Sequence, residues 1–179
     1  FRRVLFRSTA MGNVGAGTGA TVGKLCGMER ASKTGIGCYA MALGELQMAA
    51  VVVVNALGDI FDPANGTKIA GLMNEDRTAF GDSCEELWKL GCPQNLFTGN
   101  TTIGAVITNG QFNKAQMNKI ASMTRNAYAR CINPVGTMAD GDSIYAASIG
   151  DVKADINVTG TLAAHVMERA IVKAVESAR

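Results

Sequence analysis

A single histidine, His165, in 179 residues leaves little room for chemistry built on imidazole. A Ser-His-Asp triad or a histidine-rich metal centre would have to run through that one ring. The five cysteines (Cys26, Cys38, Cys84, Cys92, Cys131) contain no C-x-x-C pair. A structural zinc site is therefore disfavoured, and the thiols read as reduced cysteines of a cytoplasmic protein. Apolar runs are short: none approaches the roughly 18 uninterrupted residues of a helical membrane span, so that class is excluded. Charged residues are few, at 18%, against 47% apolar, a composition that supports a packed core rather than disorder. The 3 prolines and 21 glycines follow no collagen-like period.

The net charge of +2 rests on the first eight residues. Phe1–Ser8 reads as adapter-derived sequence rather than evolved protein, and it carries Arg2, Arg3 and Arg7. Without those three of the 17 basic residues, 14 basic face 15 acidic, a net of −1. No nucleic-acid partner and no anionic membrane surface follows from such a balance. The same reading predicts that the protein begins upstream and that this chain lacks its N-terminal part.

Residues 11–35 hold Gly12, Gly15, Gly17, Gly19, Gly23, Gly27 and Gly35 and predict a loop. Ile36–Leu43 and Gln47–Asn55 predict two strands turned at Gly44-Glu45. The β-branched run Val51–Val54 suits a strand buried on both faces. Between Gly58 and Gly99 the pattern breaks at Asp62-Pro63, Asn65-Gly66 and Cys92-Pro93, with a short helix over Ser83–Leu90 capped by Ser83 or Asp82. Thr102–Thr108 predicts a strand closed by Asn109-Gly110, and Phe112–Cys131 a helix. Val135–Ala139 and Ile144–Ile149 predict extended segments around Asp140-Gly141-Asp142-Ser143. Leu162–Ala178 carries an apolar stripe (Ala163, Val166, Met167, Ala170, Ile171, Ala174, Val175, Ala178), with Glu168, Arg169, Lys173 and Glu176 opposite. His165 falls on that polar face, whereas Tyr145 and the methionines read as core filling. Strands in pairs with helices between them indicate a layered α/β domain.

The glycine segment invites a phosphate-loop reading that fails in detail. A Walker A loop ending at Gly23-Lys24 needs glycine at position 18, which is threonine, and a hydroxyl residue at 25, which is leucine. A non-catalytic small-molecule or nucleotide-binding module built on this loop remains the rival reading. Gly99-Asn100-Thr101-Thr102-Ile103-Gly104 is by itself an ordinary strand entry. It also has the make-up of a self-cleaving bond. A threonine hydroxyl attacks the preceding carbonyl, hydrolysis of the ester frees a new N-terminal threonine, and its α-amine, with an ordinary pKa of about 7.7–8.0, serves as base. Such chemistry needs no histidine.

Four motifs occur in order: Gly12-Asn13-Val14-Gly15-Ala16-Gly17-Thr18-Gly19, Gly35-Ile36-Gly37, Val53-Val54-Asn55-Ala56-Leu57-Gly58 and Asn100-Thr101-Thr102-Ile103-Gly104. Together they resemble the L-aminopeptidase D-Ala-esterase/amidase family, which also holds the β-aminopeptidases. The Asn-Thr-Thr junction and Asp140-Gly141-Asp142 look most like its nylon-oligomer endohydrolase branch. The resemblance runs from about Met11 to the C-terminus.

That resemblance implies an α/β fold, a four-layer αββα sandwich similar to N-terminal-nucleophile hydrolases and incomplete here at its N-terminus. It implies a precursor cut between Asn100 and Thr101, with residues 9–100 ending the α chain and 101–179 forming the β chain. Thr101 becomes the nucleophile, Lys24 a catalytic-site lysine, Asn55 an oxyanion donor, and Asp140 and Asp142 a pair facing the nucleophile. Aminopeptidase members carry serine and glutamate in place of the two aspartates, a departure that weakens plain L-aminopeptidase activity. The substrates implied are short peptides or amide oligomers, with no metal or organic cofactor and with αβ units assembling as homo-oligomers. The residues also admit plainer roles: a solvated turn at Asp140–Asp142, a loop lysine at 24, a strand-end amide at 55.

Overall fold

The computed structural model describes residues 9–91 and 99–178. The Cys92-Pro93 turn expected from the sequence lies outside them. Within the glycine-rich segment, β1 (Thr21–Val22) and β2 (Ser32–Lys33) pair as a short antiparallel ribbon. β3 (Ile36–Leu43) and β4 (Leu46–Asn55) form the expected hairpin, with Gly44 in the left-handed region at its turn.

The stretch after Gly58 is more regular than its sequence. β5 (Asp59–Asp62) and β6 (Thr67–Ala70) form a hairpin around Asp62-Pro63 and Asn65-Gly66. α1 (Ser83–Leu90) is capped by Asp82, whose carboxylate accepts from the N–H groups of Cys84 and Glu85. β7 (Thr101–Gly110) pairs antiparallel with β4. Asn109-Gly110, expected as a turn, instead ends the strand. The Asn109 side chain accepts from Gln47 N–H and donates to Glu45 C=O, tying the β3–β4 hairpin to it.

The single helix expected over Phe112–Cys131 is two: α2 (Lys114–Thr124) and α3 (Asn126–Cys131), joined at Arg125. Thr124 is buried at the break and its hydroxyl donates back to Ile120 C=O, a bond that bends helices. No strand forms over Val135–Ala139, because Gly136 takes φ +66° and Thr137 opens a turn closed by Asp140. β8 (Ile132–Asn133) pairs instead with β5, giving a three-stranded sheet β6-β5-β8. β9 (Ser143–Val152) runs parallel to β7 and completes the main sheet, β3-β4-β7-β9.

α4 (Ile156–Glu176), capped by Asp155, lies across this sheet with its stripe inward. Ala163, Val166, Met167, Ala170, Ile171, Ala174 and Val175 meet Met48, Ala50, Val52, Val54 and Val106 in one core. Full burial of each large aliphatic side chain contributes roughly 1.5–3 kcal/mol. Glu168, expected on the polar face, is buried and pairs with Arg130, while His165 stays half-exposed beside it.

Among the described residues the helices cover one face of the main sheet. Val52 and Val54 are buried while Val51 and Val53 are only half-buried, so the valine run is sealed on one side rather than two. Tyr145 on the other face is 65% exposed, and Met138, in the loop before β9, is 92% exposed. Neither fills the core as expected.

Candidate active site

Antiparallel register sets the last residue of β4, Asn55, directly opposite the first of β7, Thr101. Their neighbours Val54 and Thr102 are buried towards the helices, so by strand alternation Asn55 and Thr101 share the face without helices. Lys24 reaches Asn55 from the glycine-rich segment, which is pinned to the chain beyond β4 by Gly23 N–H to Gly58 C=O and Lys24 N–H to Leu57 C=O. The glycines there serve close approach. A Cβ on Gly23 would lie 1.9 Å from Leu72 N, and one on Gly12 would lie 2.1 Å from Ser177 O. The N–H groups of Gly12, Val14, Gly17 and Thr18 are all bonded to carbonyls of the chain.

Lys24 Nζ donates to Asn55 Oδ1 at 2.8 Å and to Asn55 C=O at 3.1 Å. Burial pushes its ammonium down to about 8, against the opposing charge of Asp140. Asn55 Oδ1 also accepts from Thr21 N–H at 3.2 Å, which fixes the orientation of the amide. Its Nδ2 donates to Gly99 C=O at 2.9 Å. The amide expected on an oxyanion therefore holds the carbonyl one residue earlier.

Asn100 is 2% exposed and bridges in parallel to Asp140. Its carbonyl accepts from Gly141 N–H at 2.9 Å and from the Thr101 hydroxyl at 2.5 Å. The bond expected to break thus carries an amide donor on its oxygen and the Thr101 hydroxyl on the same atom. Asp140 and Asp142 precede β9 instead of standing in a strand, and they have different partners. Asp140 Oδ2 accepts from Thr137 N–H at 3.0 Å and the Thr137 hydroxyl at 2.7 Å. Asp142 Oδ1 accepts from Thr102 N–H at 2.7 Å, whereas its Oδ2 is buried without a hydrogen-bond partner among the described residues. Burial lifts the Asp142 carboxyl above the usual range; the Thr102 N–H opposes the rise and the Asp140 charge adds to it. Beneath them the Tyr128 hydroxyl lies 3.4 Å from Thr102 C=O and 3.3 Å from Ser143 C=O, spanning β7 and β9.

All six residues singled out in the sequence (Lys24, Asn55, Asn100, Thr101, Asp140, Asp142) come together here. Gly99, Gly141, Thr21 and Thr137 were missed. Three of these act through backbone groups, which carry no signature in sequence. Thr137-x-x-Asp140 is a hydroxyl–carboxylate turn pattern that was there to be read.

The profile of peptidase family S58 matches residues 4–179. A 6-aminohexanoate-oligomer endohydrolase of Agromyces sp. is 30% identical over 179 residues, covering 91% of this chain and 50% of that protein. An uncharacterized aminopeptidase of Mycobacterium leprae is 34% identical over 151 residues, covering 82% and 39%. Among solved structures, the L-aminopeptidase D-Ala-esterase/amidase of Ochrobactrum anthropi, described as a variant of the N-terminal-nucleophile hydrolase fold, superposes with a TM-score of 0.65 at 18% identity, covering 96% of this chain and 46% of that one. A β-aminopeptidase of Burkholderia sp. gives 0.59 at 19%, covering 94% and 47%. The chain spans about half the length of the curated relatives it matches.

Proposed function

The chain belongs to peptidase family S58 and has an N-terminal-nucleophile hydrolase-like α/β fold; from that premise we propose that it is an amide hydrolase that cuts itself between Asn100 and Thr101 and then uses Thr101 as its nucleophile. The observation that carries this is the junction, where Gly141 N–H and the Thr101 hydroxyl both meet Asn100 C=O. In maturation the Thr101 oxygen bonds to the Asn100 carbonyl carbon and its proton passes to a base. Lys24 is suited to that task. With a pKa of about 8 it is partly neutral near neutral pH, and its two contacts leave a lone pair free in the neutral amine. The negative charge grows on Asn100 O, beneath the Gly141 N–H. The C–N bond then breaks, the Thr101 nitrogen leaves as an amine carrying the proton, and water hydrolyses the ester to free the Asn100 carboxylate.

Turnover repeats the sequence on a substrate amide, with the freed α-amine of Thr101 as base. Asp140 and Asp142 hold the charge of that amine and orient it. Short peptides or amide oligomers are the substrates in this reading, which rests on the names of the relatives and on the site; the protein works in the cytoplasm as an assembly of αβ units. Among the described residues no helix is long and apolar enough to cross a membrane.

Intact-mass analysis of the protein tests the reading: a C-terminal piece running from Thr101 to Arg179 is the expected product. Thr101→Ala stays a single chain and loses all turnover, and Thr101→Ser keeps part of both. A wild-type protein that is uncut yet fully active refutes the mechanism.

A further inference from the structure

Lys24 is the cation that acts on Asp140; a different one acts on Asp142. On the helix side of the sheet a recess of about 250 Å³ lies between the end of α2 and the start of β9, bordered by Ser122, Arg125, Tyr128, Asp142 and Ser143. Arg125 stands at the junction where α2 gives way to α3, and its side chain is exposed. The loop before Asp140 makes room for it. Gly136, at φ +66°, passes so close that a Cβ there would lie 2.9 Å from an Arg125 guanidinium nitrogen. Burial raises the Asp142 carboxyl, the Thr102 N–H lowers it, the Asp140 charge raises it again and the Arg125 charge lowers it. Tyr128, the titratable group that α3 brings to this carboxylate, is held neutral by burial.

Resting on the self-cleaving reading above, we propose that Arg125 is a positioning residue of the mature enzyme, the countercharge that keeps Asp142 ionised for the Thr101 α-amine while leaving the carboxylate's free oxygen unoccupied. An arginine bonded directly to Asp142 would take up the oxygen that the amine needs. One set across a polar recess lends its charge without a bond, and Oδ2 stays open. A positive charge there makes each nearby proton bind less tightly, which favours both an ionised Asp142 and the neutral α-amine that acts as base. That amine exists only after the cut. Arg125 therefore serves turnover and not maturation, in which Lys24 is the base and Gly141 N–H holds the Asn100 carbonyl. A residue that merely fastened α2 to β9 would affect both steps alike.

Arg125→Gln, at an exposed position, separates the two roles. Self-cleavage, followed by intact mass, is expected to stay within about a factor of two of wild type. In the cut protein the acid limb of kcat against pH, measured with alanine p-nitroanilide and with an aminohexanoate oligomer, is expected to move up by about half a pH unit, the scale of a solvent-screened charge. Below the limb that shift lowers turnover about threefold. Arg125→Lys restores most of it, and about 1 M salt narrows the gap between wild type and Arg125→Gln by screening the charge. A limb that moves by less than about 0.1 pH unit in Arg125→Gln, or self-cleavage slowed as much as turnover, overturns the countercharge and leaves the nucleophile standing. A wild-type protein that is not cut at Thr101, or is cut and hydrolyses neither probe, overturns the functional reading and the countercharge with it.

Discussion

Two carboxylates in this chain, buried Asp59 and half-buried Asp142, are treated in opposite ways. Asp59, 1% exposed, is saturated. Oδ1 accepts from Leu72 N–H and the Ser83 hydroxyl, and Oδ2 accepts from Ser83 N–H and from Lys68 Nζ at 2.8 Å. Lys68 in turn donates to Gly81 C=O and stands 5.4 Å from the Phe61 ring. Asp142 accepts from Thr102 N–H at Oδ1, and its Oδ2 is buried with no hydrogen-bond partner among the described residues. A polar cluster whose every group is satisfied holds structure together. One left partly unsatisfied beside a nucleophile keeps capacity for a charge that arrives later. Here the arriving charge is the α-ammonium that cleavage before Thr101 would release.

The contrast can be broken by matching substitutions. Asp59→Asn removes the charge that Lys68 is paired with and turns one acceptor into a donor facing donors. Breaking a buried pair in this way should cost about 3–5 kcal/mol in urea unfolding. Asp142→Asn should change stability by less than about 1 kcal/mol while turnover of the cut protein falls on the order of 10²-fold. Asp140→Asn should lower turnover to a similar degree, because it keeps the Thr137 bonds in part and loses the charge. If both aspartate variants stay within a factor of two of wild type, the pair is a solvated turn and Asp142 is no different in kind from Asp59.

A smaller effect concerns Lys24. Lys24 is shifted down to about 8 from 10.5, so between those values the unfolded chain binds more protons than the folded one. Stability should therefore rise with pH from about 8 to about 10.5, and Lys24→Met should remove that rise. The rate of self-cleavage should climb with pH and reach half its plateau near 8, since the neutral amine is the base. A flat rate from pH 6.5 to 9 would take Lys24 out of the proton transfer.

Much of the fold was legible because local physics decided it. The β3–β4 hairpin follows from a β-branched valine run and a Gly44 turn, α1 from the Asp82 cap, and α4 from one apolar stripe. Legibility failed where a distant partner outweighed local pattern. β5 and β6 are short and gain their place by pairing with each other and, through β5, with β8, more than sixty residues on. The helix breaks after Thr124 although its apolar spacing runs on. Tyr145 is as apolar as a core residue but falls on the face that no helix among the described residues covers.

The site divides along the same line. The sequence by itself determined which side chains are candidates: a hydroxyl after Asn100, a lysine in a glycine-rich segment, an amide closing a valine run, two carboxylates around a glycine. These are properties of residue type and spacing, and they are written in the chain. Only the tertiary structure decided which atom each one meets. Asn55 takes Gly99 C=O rather than the carbonyl at the cut, Gly141 N–H takes that one, and Asp142 keeps an oxygen in reserve. Backbone N–H and C=O groups are the same at nearly every residue, so no letter of a sequence marks the one that will face a nucleophile. Strand register and loop path, set by burial of β4 and β7 against α4, make that choice.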